Sequence, residues 1–408
     1  MSRRSVLLLG GSAQQVVAIE RARELGYRTV LCDWLPDNPG RLVADAWHPV
    51  STTDLGAVLG VARAEGVSGV LAYASDPAAP TAAGVAEALG LPGNPVPAVE
   101  VLSEKHRFRT FLEGRGFRCP RRVELAAGCG EGEALAAVGA AGLSWPLVVK
   151  PTDSSGSKGV AVVDGPGGMA GALAAASARS RNGVLIAEEY IRRSFPRVVG
   201  GDVFVVGGRV EFWGLMSCLR DPARPLVPAG ERLPSGLSRA QEAACRAEVQ
   251  RLVSELGVRD GELNVELLVG EGGSVWFLEL GARAGGNMLP VQLSDASGVD
   301  LVAANVLAAM GEDPGPVSWG GSPEGGAAFA TYVLHAPSAG RLAGVSYSEG
   351  LAPHVYRTAM YKGPGDSVGP LDGADKAIGI AFMRFEGEAQ MEGFLGDIAS
   401  HVRVGVEP

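Results

Sequence analysis

The feature that most constrains the fold is the alternation of short apolar runs with segments of helical periodicity over the first hundred residues. Strands and helices are predicted in the order 5–9 (strand), 14–25 (helix), 29–32 (strand), 55–65 (helix), 69–73 (strand) and 81–89 (helix). A chain that alternates in this way folds as a parallel sheet with helices on both faces. The N-terminal part is therefore predicted to be an α/β domain.

The rest of the chain combines hairpins with separate helices. Helices are predicted at 103–113 (with Ser103 as N-cap), 168–180, 239–256, 300–310 and 391–401. Strands are predicted at 144–150, 159–163, 184–191, 263–269 and 274–279, with a hairpin over 202–219 that turns at Gly207-Gly208. The Gly- and Pro-rich segments 91–99 and 311–325 are predicted to interrupt the regular structure.

Composition and charge argue against several classes of function. At 408 residues the chain has room for two or three domains. Its formal net charge is -9 and no extended basic cluster stands out, so no nucleic-acid partner is expected. No apolar stretch approaches the length of a membrane span. The five scattered cysteines lack a CxxC pattern, which favours a reduced, cytoplasmic protein without a disulfide framework or structural zinc.

The segment LLLGGSAQQ, with Asp33 about twenty residues later, partly imitates a dinucleotide-binding fingerprint. Gly10-Gly11 do not supply the GxGxxG spacing, so an oxidoreductase with a nicotinamide or flavin cofactor is only a minor alternative. The simpler interpretation is a glycine turn that lets another ligand approach the end of the first strand.

A more specific signal is a lysine at the end of an apolar strand, followed by a loop rich in glycine and serine. Lys150 precedes Pro151 and the sequence TDSSGSKG at 152–159. Backbone N–H groups and hydroxyls in such a loop suit polyphosphate oxygens, and the lysine adds a fixed positive charge. The loop lacks the GxxxxGK[ST] pattern of a Walker sequence. A surface hairpin is the alternative for this segment taken alone.

Two glutamates in apolar strands form the next signal. Glu266 lies in LNVELLV and Glu279 in VWFLELGARAGGN, on strands joined by a short glycine turn. Burying a carboxylate is unfavourable unless it is paired or binds a metal, and Mg²⁺ held with ATP phosphates would satisfy both. Arg283 follows just past the second strand and suits an anionic substrate. Two outward-facing glutamates in a hairpin are the alternative.

The order of these motifs resembles the ATP-grasp superfamily: Lys105, then Lys150 with its loop, then Glu188-Glu189-Tyr190-Ile191, then Glu266, then Glu279 to Arg283. The likeness covers almost the whole chain. It is strongest to the branch with bacterial amino-acid ligases, biotin carboxylase, carbamoyl phosphate synthetase and the formate-dependent purine-pathway transformylase. The resemblance implies an α/β N-terminal domain (1–97), a linking helix (98–118), a small lobe (119–191), a large lobe (192–318) and a C-terminal α+β domain (319–408).

The resemblance also implies roles for individual residues. Lys105 and Lys150 would bind the nucleotide. The loop that closes over the phosphates would consist of Ser154, Ser155, Gly156, Ser157, Lys158 and Gly159. Adenine would lie against 188–191, with Glu188 at its amino group and the backbone of Glu189 and Ile191 along the ring. Glu266 and Glu279 would hold Mg²⁺ or Mn²⁺, and Arg283 would contact the transferred phosphoryl group or the acyl phosphate.

One position departs from the pattern of many relatives. They carry Asn two residues after the second metal-binding glutamate, where this chain has Gly281. A third side-chain metal ligand is therefore missing, and either Asn287 or water would take its place. The sequence E-x-G-A-R with two following glycines resembles the amino-acid-ligase branch more than biotin carboxylase.

The expected function is an ATP- and Mg²⁺-dependent ligase that joins a carboxylate, amino-acid-like by resemblance, to an amine through an acyl phosphate. Arg283 and Lys150 are the expected catalytic residues. Candidates for substrate contact are Arg220, Glu231, Gly285, Gly286, Asn287, His354 and Arg357. The alternatives are an ATP-grasp enzyme that uses formate or bicarbonate and a regulatory protein that binds ATP without turnover. Small molecules are the expected partners, and a homodimer is possible.

Overall fold

The N-terminal part of the chain is a parallel sheet covered by helices. The computed structural model describes residues 3–154, 156–221, 224–370, 373 and 376–407. The first elements are β1 (Ser5–Leu9), α1 (Val16–Glu24), β2 (Arg28–Cys32), β3 (Ala46–His48), α2 (Leu55–Glu65), β4 (Gly69–Leu71) and α3 (Ala79–Leu89). The sheet has the order β3-β2-β1-β4, and every pairing is parallel. The predicted α/β architecture is confirmed, although β3 was not predicted.

Two helices, α4 (Val96–Ser103) and α5 (Lys105–Gly114), connect this domain to the rest of the chain. The single helix predicted at 103–113 is wrong at its start, because Glu104 is extended and separates the two helices. The Ser103 hydroxyl donates to the Val99 carbonyl at 2.7 Å, so Ser103 ends one helix and does not cap the next. Pro97 fits the first turn of α4, where no N–H donor is required. The interruption of regular structure predicted at 91–99 therefore ends before Val96, where α4 begins.

The next unit is a four-stranded antiparallel sheet with two helices on one face. It contains β5 (Arg122–Ala126), α6 (Glu131–Ala140), β6 (Leu147–Pro151), β7 (Ala161–Val163), α7 (Met169–Ser177) and β8 (Val184–Glu189). The strand order is β5-β8-β6-β7. Leu147 and Val149 pack under the helices. Val148 and Lys150 alternate with them and line a large cavity on the opposite face.

The largest sheet has eight strands in the order β13-β12-β9-β10-β11-β14-β18-β16. Its first part contains β9 (Val199–Val206), β10 (Arg209–Asp221), β11 (Arg224–Leu233), α8 (Arg239–Leu256), β12 (Gly261–Val269), β13 (Val275–Gly281), α9 (Leu289–Ser297) and α10 (Leu301–Ala309). The predicted hairpin turn at Gly207-Gly208 and the helix at 239–256 are confirmed. Helix α8 packs on the strands that carry the two glutamates singled out above.

The C-terminal segment extends this same sheet. It contains β14 (Ala328–Leu334), β15 (Gly340–Tyr347), β16 (Val355–Met360), β17 (Ser367–Val368), β18 (Gly379–Phe385), α11 (Glu388–Leu395), α12 (Ile398–His401) and β19 (Val402–Glu407). Pairing of Arg232 with Ala330 and of Leu233 with Phe329 joins β11 to β14. A continuous sheet therefore crosses the boundary predicted at residue 318.

A small sheet of order β17-β15-β19 closes the C-terminal segment. The structure corrects the prediction that the described chain ends in a helix at 391–401, because β19 follows α12. The sequence VRVGVE alternates valine with other residues, which is the pattern of a strand with one buried face. No helix in the described parts of the chain has the length and apolar character that crossing a bilayer requires.

Candidate active site

A cavity of about 1100 Å³ lies between the four-stranded sheet and the eight-stranded sheet. It collects most of the residues that the sequence assigned to nucleotide binding. Its lining includes Lys105, Lys150, Ser154, Ser157, Lys158, Gly159, Glu188, Glu189, Tyr190, Ile191, Arg220, Glu266 and Glu279. Residues from distant parts of the chain therefore meet in one space that is larger than a metal ion alone requires.

Two carboxylates stand at one end of the cavity. Glu266 on β12 and Glu279 on β13 are direct cross-strand partners, so their side chains lie on the same face of the sheet. Lys105, the first residue of α5, donates to Glu279 Oε1 at 3.2 Å and to the Ser154 carbonyl at 2.7 Å. Burial raises the pKa of the Glu266 carboxyl, Arg220 opposes the rise, and the charge of Glu279 adds to it. A bound cation would relieve both the burial and the repulsion.

Lys150 and Glu188, on the four-stranded sheet, line the cavity, and Arg109 is fully buried in contact with Glu188. We call these three residues the Glu188 cluster. Arg109 on α5 donates through Nε to Glu188 Oε2 at 2.9 Å, and the Lys150 ammonium donates to Glu188 Oε1. Burial alone would raise the pKa of Glu188, but the two cations outweigh it and lower the pKa to about 2. Glu188 is therefore an anion between two cations. Its contact with an adenine amino group stays a prediction.

The glycine loop bridges the two sheets. Ser157 on the loop donates its hydroxyl to the Leu226 carbonyl on β11 at 2.7 Å. The Ser154 hydroxyl donates to the Lys158 carbonyl at 2.8 Å, which closes the loop on itself. Gly156 and Gly159 have φ of 67° and 75°, a backbone region that glycine occupies readily. Ser155, also predicted for this loop, lies outside the described residues.

The predicted adenine segment leaves the small sheet at the rim of the cavity. Glu189 does not point freely into solvent, because its Oε1 accepts from the backbone N–H of Ser144 at 3.0 Å. The Tyr190 N–H donates to the Pro146 carbonyl at 3.0 Å. These bonds fix the backbone of 189–190, so the edge that faces the cavity is rigid.

Arg283 is held by a residue that sequence reasoning missed. Its Nε and Nη2 atoms donate to the two carboxylate oxygens of Asp76, each at 2.7 Å. Asp76 follows β4 in the N-terminal domain, so this bidentate pair connects that domain to the end of β13. Burial lowers the pKa of Arg283, but Asp76 outweighs it, and Arg283 is always a cation. Among the described residues, Arg283 borders a smaller cleft of about 100 Å³ and is not part of the large cavity lining.

The Asp76–Arg283 pair also accounts for Gly281. A Cβ atom built on Gly281 would lie 2.9 Å from Asp76 Oδ1 and 3.2 Å from Arg283 Cζ. Any side chain at this position, asparagine included, would displace the pair. The glycine at the position where many relatives carry asparagine thus leaves room for the Asp76–Arg283 pair.

The loop after Arg283 is fixed from two sides. The Gly285 N–H donates to Asp202 Oδ2 at 2.9 Å, and the Asn287 N–H donates to Gln14 Oε1 at 3.0 Å. Burial raises the pKa of Asp202 to about 6, although Asn264 and the Gly285 N–H oppose the rise. Gly286 lies between these two anchors. In the part of the chain that the structure describes, Asn287 is not among the residues that line the large cavity.

The other predicted substrate residues are dispersed. Arg220 lines the cavity, 3.9 Å from Glu266 Oε2. Glu231 is buried opposite Cys218, and burial raises its pKa to about 8. His354 stacks on Phe385 with ring centres 4.9 Å apart, and Arg357 pairs with Asp295. Neither His354 nor Arg357 belongs to the described lining of the cavity.

Sequence reasoning missed Arg109 and Asp76. The spacing Lys105–Arg109 offered a signal, because residues four apart share one face of a helix. Asp76 offered none, since its partner is 207 residues away.

The donors present fit a magnesium–nucleotide complex. The described residues contain no group of three or more His, Cys, Asp or Glu side chains that would enclose a metal ion. Mg²⁺ commonly takes only one or two carboxylates and completes its shell with phosphate oxygens and water. Glu266 and Glu279, which face the cavity side by side, would supply those carboxylates.

Comparison with known proteins agrees with this geometry, although no protein-family model matches the chain. A formate-dependent phosphoribosylglycinamide formyltransferase from Synechococcus sp. (strain WH7803) is 36% identical over 191 residues, which cover 46% of this chain and 48% of that protein. The match thus spans about half of that relative. The protein of the same name from Burkholderia lata is 28% identical over 347 residues, which cover 79% of this chain and 81% of that protein.

Among solved structures, an L-amino acid ligase from Bacillus licheniformis has a TM-score of 0.82 at 20% identity, with 100% of both chains covered. Identity at this level shows the fold alone. The two-lobed cavity, the cross-strand glutamates and these similarities agree on one assignment. The chain has the ATP-grasp fold.

Proposed function

We propose that the protein is an ATP-dependent ligase that activates a carboxylate as an acyl phosphate and transfers the acyl group to an amine. The observation that carries this proposal is the arrangement of charges in one cavity. Glu266 and Glu279 lie side by side on the eight-stranded sheet, and Lys150 lies on the four-stranded sheet that borders the same cavity. A polyphosphate between them would meet cations along its length and carboxylates where a divalent metal ion can neutralise it.

In this mechanism the chain acts mainly by positioning. Lys105 and Lys150 would hold the phosphates, and the glycine loop would close over them and exclude water from a reactive acyl phosphate. Mg²⁺, when bound by Glu266 and Glu279, would neutralise charge on the phosphate oxygens. The carboxylate attacks the γ-phosphorus and ADP leaves. The amine then attacks the acyl carbon and phosphate leaves.

Arg283 would stabilise negative charge on the acyl phosphate or on the tetrahedral intermediate. Arg283 follows the end of β13, two residues after Gly281 and four residues after Glu279 in the sequence. The bidentate bond to Asp76 fixes its orientation, so little reorganisation would be needed during the reaction. The backbone amide of Gly286 is the proposed second donor to the substrate, because the Gly285 N–H already donates to Asp202.

Formate is the second candidate for the carboxylate. Two relatives that are similar in sequence are proteins named formate-dependent phosphoribosylglycinamide formyltransferase, whereas the L-amino acid ligase is similar in fold. Both candidates require the same chemistry, activation of a carboxylate followed by attack of an amine. They differ in the size of the acid that the site must accept.

Release of ADP and phosphate from MgATP tests the proposal. We expect release only when a carboxylate and an amine are both present, and formate with phosphoribosylglycinamide should be compared with mixtures of amino acids. Glu266→Gln and Glu279→Gln should abolish turnover, whereas Glu271→Gln, in the exposed turn between the same strands, should leave it unchanged. Formation of AMP in place of ADP would rule out an acyl phosphate.

The setting of the protein is also part of the proposal. All five cysteines are free and most are buried, which supports a cytoplasmic location. A homodimer stays a prediction, and light scattering of the purified protein would test it.

A further inference from the structure

Arg109 is the most deeply buried charged residue near the cavity, yet phosphate and metal binding do not explain it. Its side chain is 0% exposed. Nε and Nη2 donate to the two oxygens of Glu188 at 2.9 and 3.4 Å, and Nη2 also donates to the Leu278 carbonyl at 2.9 Å. The third nitrogen, Nη1, is buried without a hydrogen-bond partner among the described residues. Such burial is unfavourable, because a buried ion pair is seldom more stable than apolar packing.

The position of Arg109 on α5 relates it to both ends of the cavity. Lys105 and Arg109 are one helical turn apart, so they project from the same face. Lys105 reaches Glu279, and Arg109 reaches Leu278, the preceding residue of β13. Side chains on one face of α5 therefore contact both β13 and Glu188.

The charges of the Glu188 cluster suggest why an arginine is needed there. Lys150 and Glu188 alone would form a neutral pair, and the Lys150 ammonium would attract a phosphate only weakly. With Arg109 included, two cations share one anion and the cluster keeps one positive charge. Because these three side chains are buried, one unit of charge has a large effect on anion binding.

We propose that Arg109 is a positioning residue that offsets the charge of Glu188, so that the cluster keeps a net positive charge beside the nucleotide phosphates. This inference rests on the proposed function, because it takes MgATP as the ligand of the cavity. Arg109 itself does not touch the nucleotide in this scheme. Its effect passes entirely through Glu188 and Lys150.

Calorimetric titration with MgATP tests the inference without requiring turnover. Arg109→Met removes the charge and should weaken the Kd by roughly 30-fold or more. Arg109→Lys keeps the charge and should lose only a few-fold in affinity. The control is Arg107→Met on the exposed side of the same helix, which should match the wild type.

The decisive variant is the double substitution Arg109→Met with Glu188→Gln. It again leaves one positive charge, that of Lys150, and should recover most of the affinity lost in Arg109→Met. A purely structural role for Arg109 predicts no recovery, because the packing of Arg109 is lost in both variants. If Arg109→Met does not fold, the double variant still decides, since it carries no unpaired buried acid and should bind MgATP within about tenfold of wild type.

Two results would overturn the inference. One is a double variant that binds as weakly as Arg109→Met, or more than about tenfold more weakly than wild type where the single variant does not fold. The other is an Arg109→Met protein that binds MgATP as tightly as Arg107→Met. In both cases the wild type binds MgATP and the proposed function stands. A wild type that binds no MgATP would instead overturn the proposed function along with this inference.

Discussion

The absence of a Cβ atom at Gly281 affects the geometry of the neighbouring side chains. A side chain at this position would collide with the Asp76–Arg283 pair, so the glycine and the pair require each other. The sequence revealed the absence of a metal ligand but not its cause, because Asp76 lies in another domain. At the proposed metal site, the absence of a side chain at 281 leaves room for the pair that fixes Arg283.

Gly281→Asn tests this dependence. The new side chain should displace Arg283 from Asp76, and kcat should fall by roughly 100-fold because the guanidinium is misplaced by about 1 Å or more. Steady-state kinetics would measure the loss. Gly132→Ala, where an added Cβ meets nothing within 4 Å, is the control. Unchanged kcat with a lower Mg²⁺ requirement would mean that the introduced asparagine acts as a metal ligand and that the pair is dispensable.

Glu231 predicts a dependence of stability on pH. Burial raises its pKa in the native state to about 8, whereas an unfolded glutamate has a pKa of about 4.3. Between these values the native protein holds a proton that the unfolded chain has lost. The corresponding stability is therefore present below about pH 4 and is lost as the pH rises through 8.

Glu231→Gln removes this titration. Its advantage in unfolding free energy over the wild type should grow from pH 5 to pH 8 and reach on the order of 3 kcal/mol at pH 7. Denaturant unfolding at several pH values measures it, with the exposed Glu349→Gln as control. A difference that does not vary with pH would contradict the assignment.

At the scale of elements, the glycine loop between β6 and β7 has a structural partner outside its own sheet. The Ser157 hydroxyl donates to the Leu226 carbonyl on β11, so the loop contacts the eight-stranded sheet in the described structure. This bond is one neutral hydrogen bond and contributes about 1 kcal/mol to that arrangement. Substitutions that remove this hydrogen bond should lower the population of the closed loop.

Ser157→Ala should therefore uncouple the reaction. With the closed loop about fivefold less favoured, more acyl phosphate would be hydrolysed and the ratio of product to ADP would fall. Parallel assays of ADP and product would detect this, and Ser51→Ala on the N-terminal domain is the control. An unchanged ratio would show that the Ser157 hydroxyl does not contribute to closure.

Elements with strong local patterns could be predicted, and elements defined by distant contacts could not. Helix α8 begins at a capping box of Ser238 and Gln241, and its bounds were found from the sequence. The break at Glu104 has no glycine or proline to mark it. The position of β3 at a sheet edge and the pairing of β11 with β14 depend on tertiary contacts, so the local sequence carried little sign of them.

Across the whole molecule, ion pairs as well as strand pairing hold the C-terminal segment against the strands that precede it. Arg232 on β11 is 2% exposed and forms ion pairs with Glu388 and Glu392 on α11. Arg197 donates to the same Glu392 at 3.0 Å. The segment thus covers both the edge of β11 and a buried guanidinium.

Truncation after residue 318 should therefore fail to give a folded protein. It would expose the edge of β11 and leave Arg232 without its acidic partners, and both changes favour aggregation. Size-exclusion chromatography and dye binding to exposed apolar surface would test this. Removal of β19 alone, at the edge of the small sheet, should be tolerated much better, and a monomeric, compact 1–318 fragment would contradict the argument.

The continuity of the eight-stranded sheet has a practical consequence for splitting the protein into two fragments. Its strands run from Val199 to Phe385, so a break in the backbone within the Gly- and Pro-rich stretch at 311–325 would cut the polypeptide without cutting a strand. The N-terminal half would then not fold alone, and it would regain its fold only when it is held next to the C-terminal half, through the pairing of β11 with β14. Fused to two proteins of interest, the halves would make a split reporter in which recovery of the proposed ATP-dependent activity signals that those proteins have met.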